Sequence, residues 1–388
     1  MRCRCELNWR MNSKVTFDGE PPPGVINLGI GQPSDDLLPV ELLRLASEDF
    51  LKVAQPKELN YGEKQGDVRF RESLADFLSL KYEADVRPDS LLLSCGNSQA
   101  LDFICERFTR PGDTVFVEEP TYFLAFQIFK DHDLNIVSVA MDHDGLSIEA
   151  LEEALQSSKP ALLYTIPSFS NPGGQTLSTE RRRRLVELSR EHEFIIAADE
   201  VYQLLPYFGE APPALGTMIE AGNVISMGTF SKIMAPGLRL GWIQAPAHLM
   251  DLMLDSGWVN SGGSVNHIIS HIVRHAIDMG LQDAFIEQLR DSYRDRVTAM
   301  NDSLKKHLSK LARWTRPDGG YFFWLELDEN IDATALRKRA FEHGVGFQPG
   351  EVFSNSGGFK NFIRLSFAHY NEADIHEGVK RLSNLLQS

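Results

Sequence analysis

The chain has 388 residues, of which 43% are hydrophobic and 24% charged, which is typical of a globular protein with more than one domain. Its formal net charge is −15, from 39 basic and 54 acidic residues, and this argues against a nucleic-acid or anionic-membrane partner. No apolar run has the length of a membrane span, and four cysteines without Cys/His clustering indicate neither a disulfide framework nor a metal site. We therefore expect a cytoplasmic protein in which an anionic ligand needs a local positive site.

Residues 1–24 are predicted to be an extension ahead of the folded chain. They begin with basic residues but lack the apolar core and small-residue cleavage site of a secretory signal. A short organelle transit segment and a start at Met11 both remain open. Residues 19–24, GEPPPG, are typical of a loop, so the ordered chain should begin near Val25.

From about residue 90, short apolar runs alternate with amphipathic or charged stretches. The runs predict strands over residues 90–95, 114–119, 135–140, 161–166, 194–199, 223–228 and 239–245. The stretches predict helices over residues 98–108, 121–131, 147–157 and 178–192. This alternation, with continuously apolar strands, favours a mainly parallel α/β sheet with helices on both faces.

The C-terminal part has a different pattern, which predicts a smaller α+β domain. Its elements are one long helix over 281–311, a strand in 319–327, a helix near 333–343, a strand at 362–367 and a closing helix near 372–387. The predicted organisation is an extension (1–24), an N-terminal segment packed with the small domain (25–54), a large domain (55–290) and a small domain (291–388).

Polar residues that directly follow the predicted strands are candidates for a binding site, because ligands of parallel sheets lie beyond the carboxyl ends of the strands. Gly96 makes a turn before Asn97 and Ser98, where a helix N-terminus suits a phosphate, although a simple capped turn explains the pattern better on its own. Tyr122 suits either a stacking platform or packing. Asn171, before a Pro-Gly-Gly turn, suits either a ligand contact or the turn itself.

Asp199 follows five apolar residues and is predicted at the buried end of a strand. A buried carboxylate needs a cationic partner, which is either a distant arginine or the protonated ring nitrogen of a cofactor. Tyr202 lies three residues further on and is close enough to share the site.

The stretch GTFSKIMAPGLRLGW, residues 228–242, places Lys232 directly after a strand among apolar, small and hydroxylated residues. A desolvated amine with a lowered pKa is what Schiff-base chemistry requires. Two hydroxyls and a planar guanidinium lie close by in the sequence, from Thr229, Ser231 and Arg239. Such groups suit a phosphate, because a guanidinium can donate two parallel hydrogen bonds to its oxygens. The alternative is a surface lysine in a loop, and the uncharged neighbours argue against it.

The segment SKIMAPGLRLGW resembles the pyridoxal-phosphate lysine motif of the class I/II aminotransferases. GNSQALD, EEPTYF, NPGG, DEVY and FIRLSF follow in that family's order and spacing, so the resemblance covers nearly the whole chain from about residue 25. NLGIGQPSDDLLP (27–39) is similar to the aminoadipate and aromatic aminotransferase branch. The resemblance implies fold type I, with pyridoxal 5′-phosphate as the cofactor.

The resemblance implies a role for each matching residue around that cofactor. Lys232 forms the Schiff base and shuttles the proton, while Asp199 pairs with the ring nitrogen. Further cofactor contacts are expected from Tyr122 on the ring face, from Asn171 and Tyr202 on the ring oxygen, and from Asn97, Ser98, Thr229, Ser231 and Arg239 on the phosphate.

The substrate side of the site is also implied by the resemblance. Arg364 in FIRLSF binds the α-carboxylate, although a strand arginine with such neighbours more often faces solvent. Asn171 and Gly31 are expected to contact the substrate as well. Tyr61 matches a tyrosine that reaches the neighbouring subunit's phosphate, which implies a homodimer with active sites at the interface.

The expected activity is transfer of an amino group from an L-amino acid to a 2-oxo acid, with 2-oxoglutarate as the acceptor, by a ping-pong mechanism. A lyase or decarboxylase with the same cofactor is the first alternative. A ligand-sensor domain without turnover is the second; it needs a DNA-binding module, for which about 25 preceding residues leave little room. The aromatic residues suit a large side chain, and 2-aminoadipate remains open; they are Tyr122, Phe169, Tyr321, Phe322 and Phe323.

Overall fold

A computed structural model of the protein describes residues 21–388. The strands are β1 (Ile26–Asn27), β2 (Leu91–Ser94), β3 (Thr114–Glu119), β4 (Asn135–Asp142), β5 (Gly145–Leu146), β6 (Leu162–Thr165), β7 (Ile195–Asp199), β8 (Val224–Thr229), β9 (Gly241–Gln244), β10 (Ala312–Arg313), β11 (Phe322–Leu327), β12 (Val345–Gly346), β13 (Gln348–Pro349) and β14 (Phe362–Ser366). The α-helices are α1 (Val40–Val53), α2 (Val68–Tyr82), α3 (Asn97–Phe108), α4 (Phe123–Asp131), α5 (Ile148–Ser157), α6 (Thr179–Glu191), α7 (Ala247–Leu254), α8 (Gly257–Gly262), α9 (His267–Asp278), α10 (Leu281–Leu308), α11 (Ala333–Glu342) and α12 (Glu372–Gln387). Within residues 21–388, none of these helices is long and apolar enough to cross a membrane. The transit segment, the start at Met11 and most of the predicted extension lie outside the described residues.

Eight strands form the central sheet, in the order β2-β9-β8-β7-β6-β3-β4-β5. The strands β4, β3, β6, β7 and β8 run parallel, whereas β9 is antiparallel to both neighbours and β5 is antiparallel to β4. The prediction of a mainly parallel sheet is confirmed. β9 reverses direction because only residues 230–240 separate it from β8, which is too short for a parallel crossover.

The carboxyl ends of the parallel strands meet along one edge of this sheet. Asp199 at the end of β7 lies opposite Met227 of β8, and Gly241 of β9 pairs with both Thr229 of β8 and Ser94 of β2. β2 and β8 therefore end at the same edge of the sheet, on either side of β9, although they are far apart in sequence. The segments that follow β2, β7 and β8 are consequently neighbours in space.

A second sheet, in the order β10-β11-β14-β13 and antiparallel throughout, forms the smaller domain. Arg364 of β14 lies opposite Trp324 of β11 and Gln348 of β13. β1 pairs with β12, which joins the N-terminal segment to the smaller domain. The domain boundaries at residues 24, 54 and 290 stay predictions, and α10 runs unbroken through residue 290.

The structure adds elements that the sequence did not predict, among them the helices α1, α2, α7, α8 and α9. α1 and α9 have no side-chain cap at their N-termini, so the strongest start signal of a helix is missing there. The strand predicted from residue 239 begins at Gly241 because Arg239 is left-handed, with φ +48°. The strand predicted from residue 319 begins at Phe322, after Gly320 at φ +71°.

Candidate active site

A cavity of about 650 Å³ lies at the carboxyl edge of the central sheet, against the smaller sheet. The structure brings almost all predicted site residues together there. Its lining includes Gly31, Asn97, Ser98, Tyr122, Asn171, Asp199, Tyr202, Thr229, Ser231, Lys232, Arg239 and Arg364. Tyr61 does not line the cavity of its own chain, and its side chain is 85% exposed.

Asp199 is buried at the end of β7, on the floor of this cavity. Its carboxylate accepts hydrogen bonds from Asn97 Nδ2 at 2.5 Å and from the Tyr164 hydroxyl at 2.8 Å. Burial raises the pKa of Asp199, while these two hydrogen bonds oppose the rise. The carboxylate is therefore oriented and desolvated, and a cation entering the cavity would stabilise its charged form.

The side chain of Asn97 points toward Asp199 rather than toward an anion site. Its Nδ2 also donates to the carbonyl of Met227 at 3.1 Å, and its Oδ1 is buried without a partner among the described residues. The backbone N–H of Asn97 lies in the first turn of α3, where N–H groups have no partner within the helix. This N–H can therefore donate to a phosphate.

Lys232 follows β8 and is half-buried, with its amine inside the cavity. Its Nζ donates to the carbonyl of Gly31 at 3.0 Å and lies 5.0 Å from the centre of the Tyr321 ring. Burial lowers the pKa of Lys232 to about 8; the nearby Arg364 also lowers it, and Asp199 opposes the fall. A lysine that is partly neutral near physiological pH is a competent nucleophile and base.

Donors for an anion gather where α3 begins beside the turn after β8. Arg239 holds the left-handed conformation, and its Nη2 donates to the carbonyl of Cys95 at 2.7 Å. Gly96, at φ +93°, lets this guanidinium approach, because a Cβ there would lie 3.3 Å from Nη2. The hydroxyls of Thr229 and Ser231 lie 3.0 Å apart beside it. Hydroxyls, a guanidinium and a helix N-terminus together suit a phosphate.

Arg364 reaches the cavity from the smaller sheet and is buried. Its Nη1 donates to Asn171 Oδ1 and its Nη2 to the carbonyl of Gly29, both at 2.9 Å. The guanidinium lies 4.0 Å from the centre of the Phe322 ring and 4.9 Å from that of Phe353. Arg364 therefore does not face solvent, although its strand neighbours alone favoured that placement.

Two tyrosines enclose the cavity between these charged groups. Tyr122 precedes α4 and is half-buried, and burial raises its pKa to about 12. Tyr202 is buried and its ring centre lies 5.3 Å from that of Tyr321. Burial also raises the pKa of Tyr202, so both hydroxyls stay protonated and can donate near neutral pH.

Three further polar residues of the lining, Tyr164, Gln32 and Gln348, were absent from the sequence prediction. Tyr164 sits inside the apolar strand β6, opposite Ala197 of β7, and only this register shows that its hydroxyl reaches Asp199. Gln32 lies in the segment 27–39, whose resemblance to the aminoadipate and aromatic branch marked the segment but not this residue. Gln348 lies in the two-residue strand β13 beside β14, a pairing that only the structure shows.

The arrangement fits pyridoxal 5′-phosphate, whose aldehyde, ring nitrogen and phosphate need an amine, a carboxylate and an anion site. The cavity provides Lys232 with its lowered pKa, the buried Asp199, and the guanidinium of Arg239 close against Gly96. The orphaned Oδ1 of Asn97 leaves an acceptor for an entering group. Fold and site together define a pyridoxal-phosphate enzyme of fold type I.

The chain belongs to the aminotransferase class I and II family, whose model matches residues 23–382. It is 35% identical over 368 residues to aromatic-amino-acid aminotransferase 1 from Thermococcus litoralis, covering 94% of this chain and 88% of the relative. The crystal structure of a multiple substrate aminotransferase from Thermococcus profundus is similar with a TM-score of 0.88 and 34% identity, over 94% and 92% of the two chains.

A third similarity concerns the cofactor. The α-aminoadipate aminotransferase of Thermus thermophilus, solved in complex with N-(5′-phosphopyridoxyl)-L-leucine, has a TM-score of 0.85 and 31% identity, over 94% and 92% of the chains. The protein is a pyridoxal-phosphate-dependent aminotransferase that acts on amino acids and oxo acids. The family, fold, cofactor and enzyme class expected from the sequence are confirmed.

Proposed function

We propose that the enzyme moves the amino group of an L-amino acid with a large apolar or aromatic side chain to 2-oxoglutarate, in two successive half-reactions at one site. The observation that carries this proposal is the placement of Arg364. It comes from a different sheet, yet it presents a buried guanidinium to the same cavity as Lys232. One fixed carboxylate-binding group beside one base suits a series of α-amino and α-oxo acids.

The proposed roles follow from the chemistry of each side chain. Bound pyridoxal phosphate supplies the electron sink that allows the substrate α-C–H bond to break. Arg239, Thr229 and Ser231 hold the phosphate, and Asp199 keeps the ring nitrogen protonated. Lys232 Nζ takes the proton from the substrate α-carbon and returns it in the next step.

Cofactor contacts that resemblance alone assigns are proposed on the same basis. Tyr122 stacks on the ring, and the Tyr202 hydroxyl donates a hydrogen bond to it. The Oδ1 of Asn171 accepts a hydrogen bond from Arg364. Asn171 therefore contacts the cofactor and substrate through its amide N–H groups, which donate. Ser98 and the backbone N–H of Asn97 complete the phosphate contacts.

The composition of the cavity wall favours an amino-acid substrate with an apolar side chain. Its charged lining residues are Asp199, Lys232, Arg239 and Arg364, and each of them has a proposed role. Apolar side chains make up much of the remaining wall, namely Ile30, Leu101, Phe123, Leu124 and Ile128. Burying an apolar substrate side chain against them stabilises binding by about 0.8 kcal/mol for each CH₂ group.

The acceptor 2-oxoglutarate carries a second carboxylate, and we assign its binding to Gln32. This half-buried side chain lines the cavity and offers two amide N–H donors without a charge. A neutral amide binds a carboxylate and still tolerates an apolar side chain, as two half-reactions in one site require. The relatives named for aromatic amino acids and for α-aminoadipate support both kinds of side chain.

We further propose a homodimer in which Tyr61 reaches the phosphate site of the neighbouring subunit. Tyr61 projects into solvent beside Leu59, which is 73% exposed, so this segment presents apolar surface for a second copy. Light scattering of the purified holoenzyme tests the assembly, and a monomer at micromolar concentration would contradict it.

A cytoplasmic location is also proposed. It rests on the sparse cysteines of the sequence and on the free thiols of Cys95 and Cys105. Cell fractionation with a compartment marker tests it, and recovery in a membrane-enclosed organelle or outside the cell would contradict it.

A donor screen tests the proposed reaction. The holoenzyme is incubated with single L-amino acids and 2-oxoglutarate, and glutamate formation is measured. Aromatic and large aliphatic donors should give the highest kcat/KM, and Lys232→Ala should abolish turnover with all of them. Absence of glutamate with every donor, or full activity of Lys232→Ala, would show the proposal to be wrong.

A further inference from the structure

Arg182, on α6, is a fully buried charge outside the cavity lining. Burial lowers the pKa of Arg182 to about 10, so the guanidinium stays charged at neutral pH. A buried guanidinium is stable only when its N–H groups and its charge find partners. The position of those partners therefore shows what the residue holds in place.

Three bonds of Arg182 go to the two ends of the segment 167–177. Nη2 donates to the carbonyl of Pro167 and to the hydroxyl of Ser168, both at 2.7 Å, and Nε donates to the carbonyl of Leu177 at 2.9 Å. The backbone N–H of Leu177 also donates to Pro167 at 2.8 Å. One planar side chain thus fixes both points at which this segment joins the rest of the chain.

The other side of the guanidinium faces the turn that follows β7. Nη1 donates to the carbonyl of Pro213 at 3.1 Å and lies 3.8 Å from Glu200 Oε1. Glu200 is buried directly after Asp199 and accepts three hydrogen bonds from other groups, from the backbone N–H groups of residues 215 and 216 and from the hydroxyl of Ser226. Ser168 Oγ, which accepts from Arg182, donates in turn to Gln203 at 2.5 Å. The segment 167–177 is consequently tied to the segment that follows Asp199.

We propose that Arg182 is a positioning residue for the substrate, because it holds the segment 167–177 so that Asn171 keeps Arg364 in place. Asn171 lies in the middle of this segment, and its Oδ1 accepts from Arg364 Nη1 at 2.9 Å. The inference rests on the proposed carboxylate-binding role of Arg364. A lysine would keep the charge, but its three donors on one nitrogen cannot bridge carbonyls at both ends.

The variant Arg182→Lys tests the inference. A displacement of about 1 Å at a reacting centre can cost about 100-fold in rate, so we expect kcat/KM for the donor to fall about 10- to 100-fold. The KM for the donor should rise by a larger factor than kcat falls. Arg183→Lys, the same substitution at an exposed arginine of the same helix, is the matched control and should equal wild type.

Binding without turnover provides an independent measurement. Hydrocinnamate, an unreactive carboxylate with an aromatic side chain, is titrated into the holoenzyme by calorimetry. Its Kd should rise about tenfold or more in Arg182→Lys. If Arg364→Met leaves this Kd unchanged, the proposed role of Arg364 fails. If Arg364→Met weakens binding and Arg182→Lys does not, only the inference about Arg182 fails.

A double variant separates positioning from general stability. If Arg182 acts through Asn171, then Arg182→Lys combined with Asn171→Ala should lose no more kcat/KM than Asn171→Ala alone, within about twofold. Multiplied losses, or a lower melting temperature with unchanged kcat/KM, would overturn the proposal. Should Arg182→Lys fail to fold, Ser168→Ala removes the hydroxyl that accepts from Arg182 and donates to Gln203, and so breaks two bonds of the same network. It should lower kcat/KM by about 2- to 5-fold with the same non-additivity, and unchanged kcat/KM would overturn the proposal.

Discussion

The apoenzyme should capture pyridoxal phosphate at a rate that rises with pH and reaches half of its maximum near pH 8, because only the neutral amine of Lys232 is nucleophilic. Burial, and then Arg364, lower the pKa of Lys232 from 10.5 to about 8. At pH 7 such a lysine is about one-tenth neutral, whereas a lysine with the usual pKa is neutral in about one molecule in three thousand. The reactive fraction is therefore larger by about two orders of magnitude.

Stopped-flow mixing of apoenzyme with pyridoxal phosphate, followed by visible absorbance over about pH 6 to 10, measures this midpoint. Arg364→Met removes a positive charge that lowers the pKa of Lys232, so the midpoint should move to higher pH. Arg183→Met controls for the loss of an exposed arginine. A wild-type midpoint near 10, or an unchanged midpoint in Arg364→Met, would refute the reasoning.

Three further outcomes are expected. Asp199→Asn removes the charge proposed to pair with the ring nitrogen. Losing one preorganised electrostatic contact to the reacting system costs about 100- to 1000-fold in rate, so the single-turnover rate should fall by about that factor with cofactor still bound; an unchanged rate would contradict the pairing. Gln32→Leu should raise the KM for 2-oxoglutarate but not for an aromatic donor, and equal effects on both would contradict its assignment. Tyr61→Phe removes the proposed hydrogen bond to the cofactor phosphate of the neighbouring subunit, and a bond to a charged group is worth about 1.5–3 kcal/mol. Equilibrium dialysis should therefore show that cofactor affinity falls about tenfold or more, and unchanged affinity in a dimer would contradict the contact.

The sequence could predict the central sheet and the charged groups at its edge, because both follow from local pattern. Continuous apolar runs mark the buried parallel strands, and the polar residues after them, such as Asp199 and Lys232, must then share one edge. Arg364 was different, since it arrives from another sheet. Its own neighbours favoured a solvent-facing strand residue, and only the family resemblance predicted its place in the site.

What the sequence could not predict depends on contacts between distant segments. The Tyr164 hydroxyl reaches Asp199 through the register of two strands, which no single run of residues encodes. Arg182 is different again, because a signal existed within its run of four arginines. It shares the buried face of α6 with Leu185, Val186 and Ser189, at the spacing of one helix face. Helical periodicity alone could have marked it as the buried arginine.

The most direct test of the account is a half-reaction with the holoenzyme, an aromatic L-amino acid and no acceptor. An aminotransferase should release one equivalent of 2-oxo acid for each active site and no ammonia, then stop until 2-oxoglutarate is added, when glutamate forms. Continued release of oxo acid with ammonia in the absence of an acceptor would contradict the account, because the amino group would then leave as ammonia instead of staying on the enzyme for the second half-reaction.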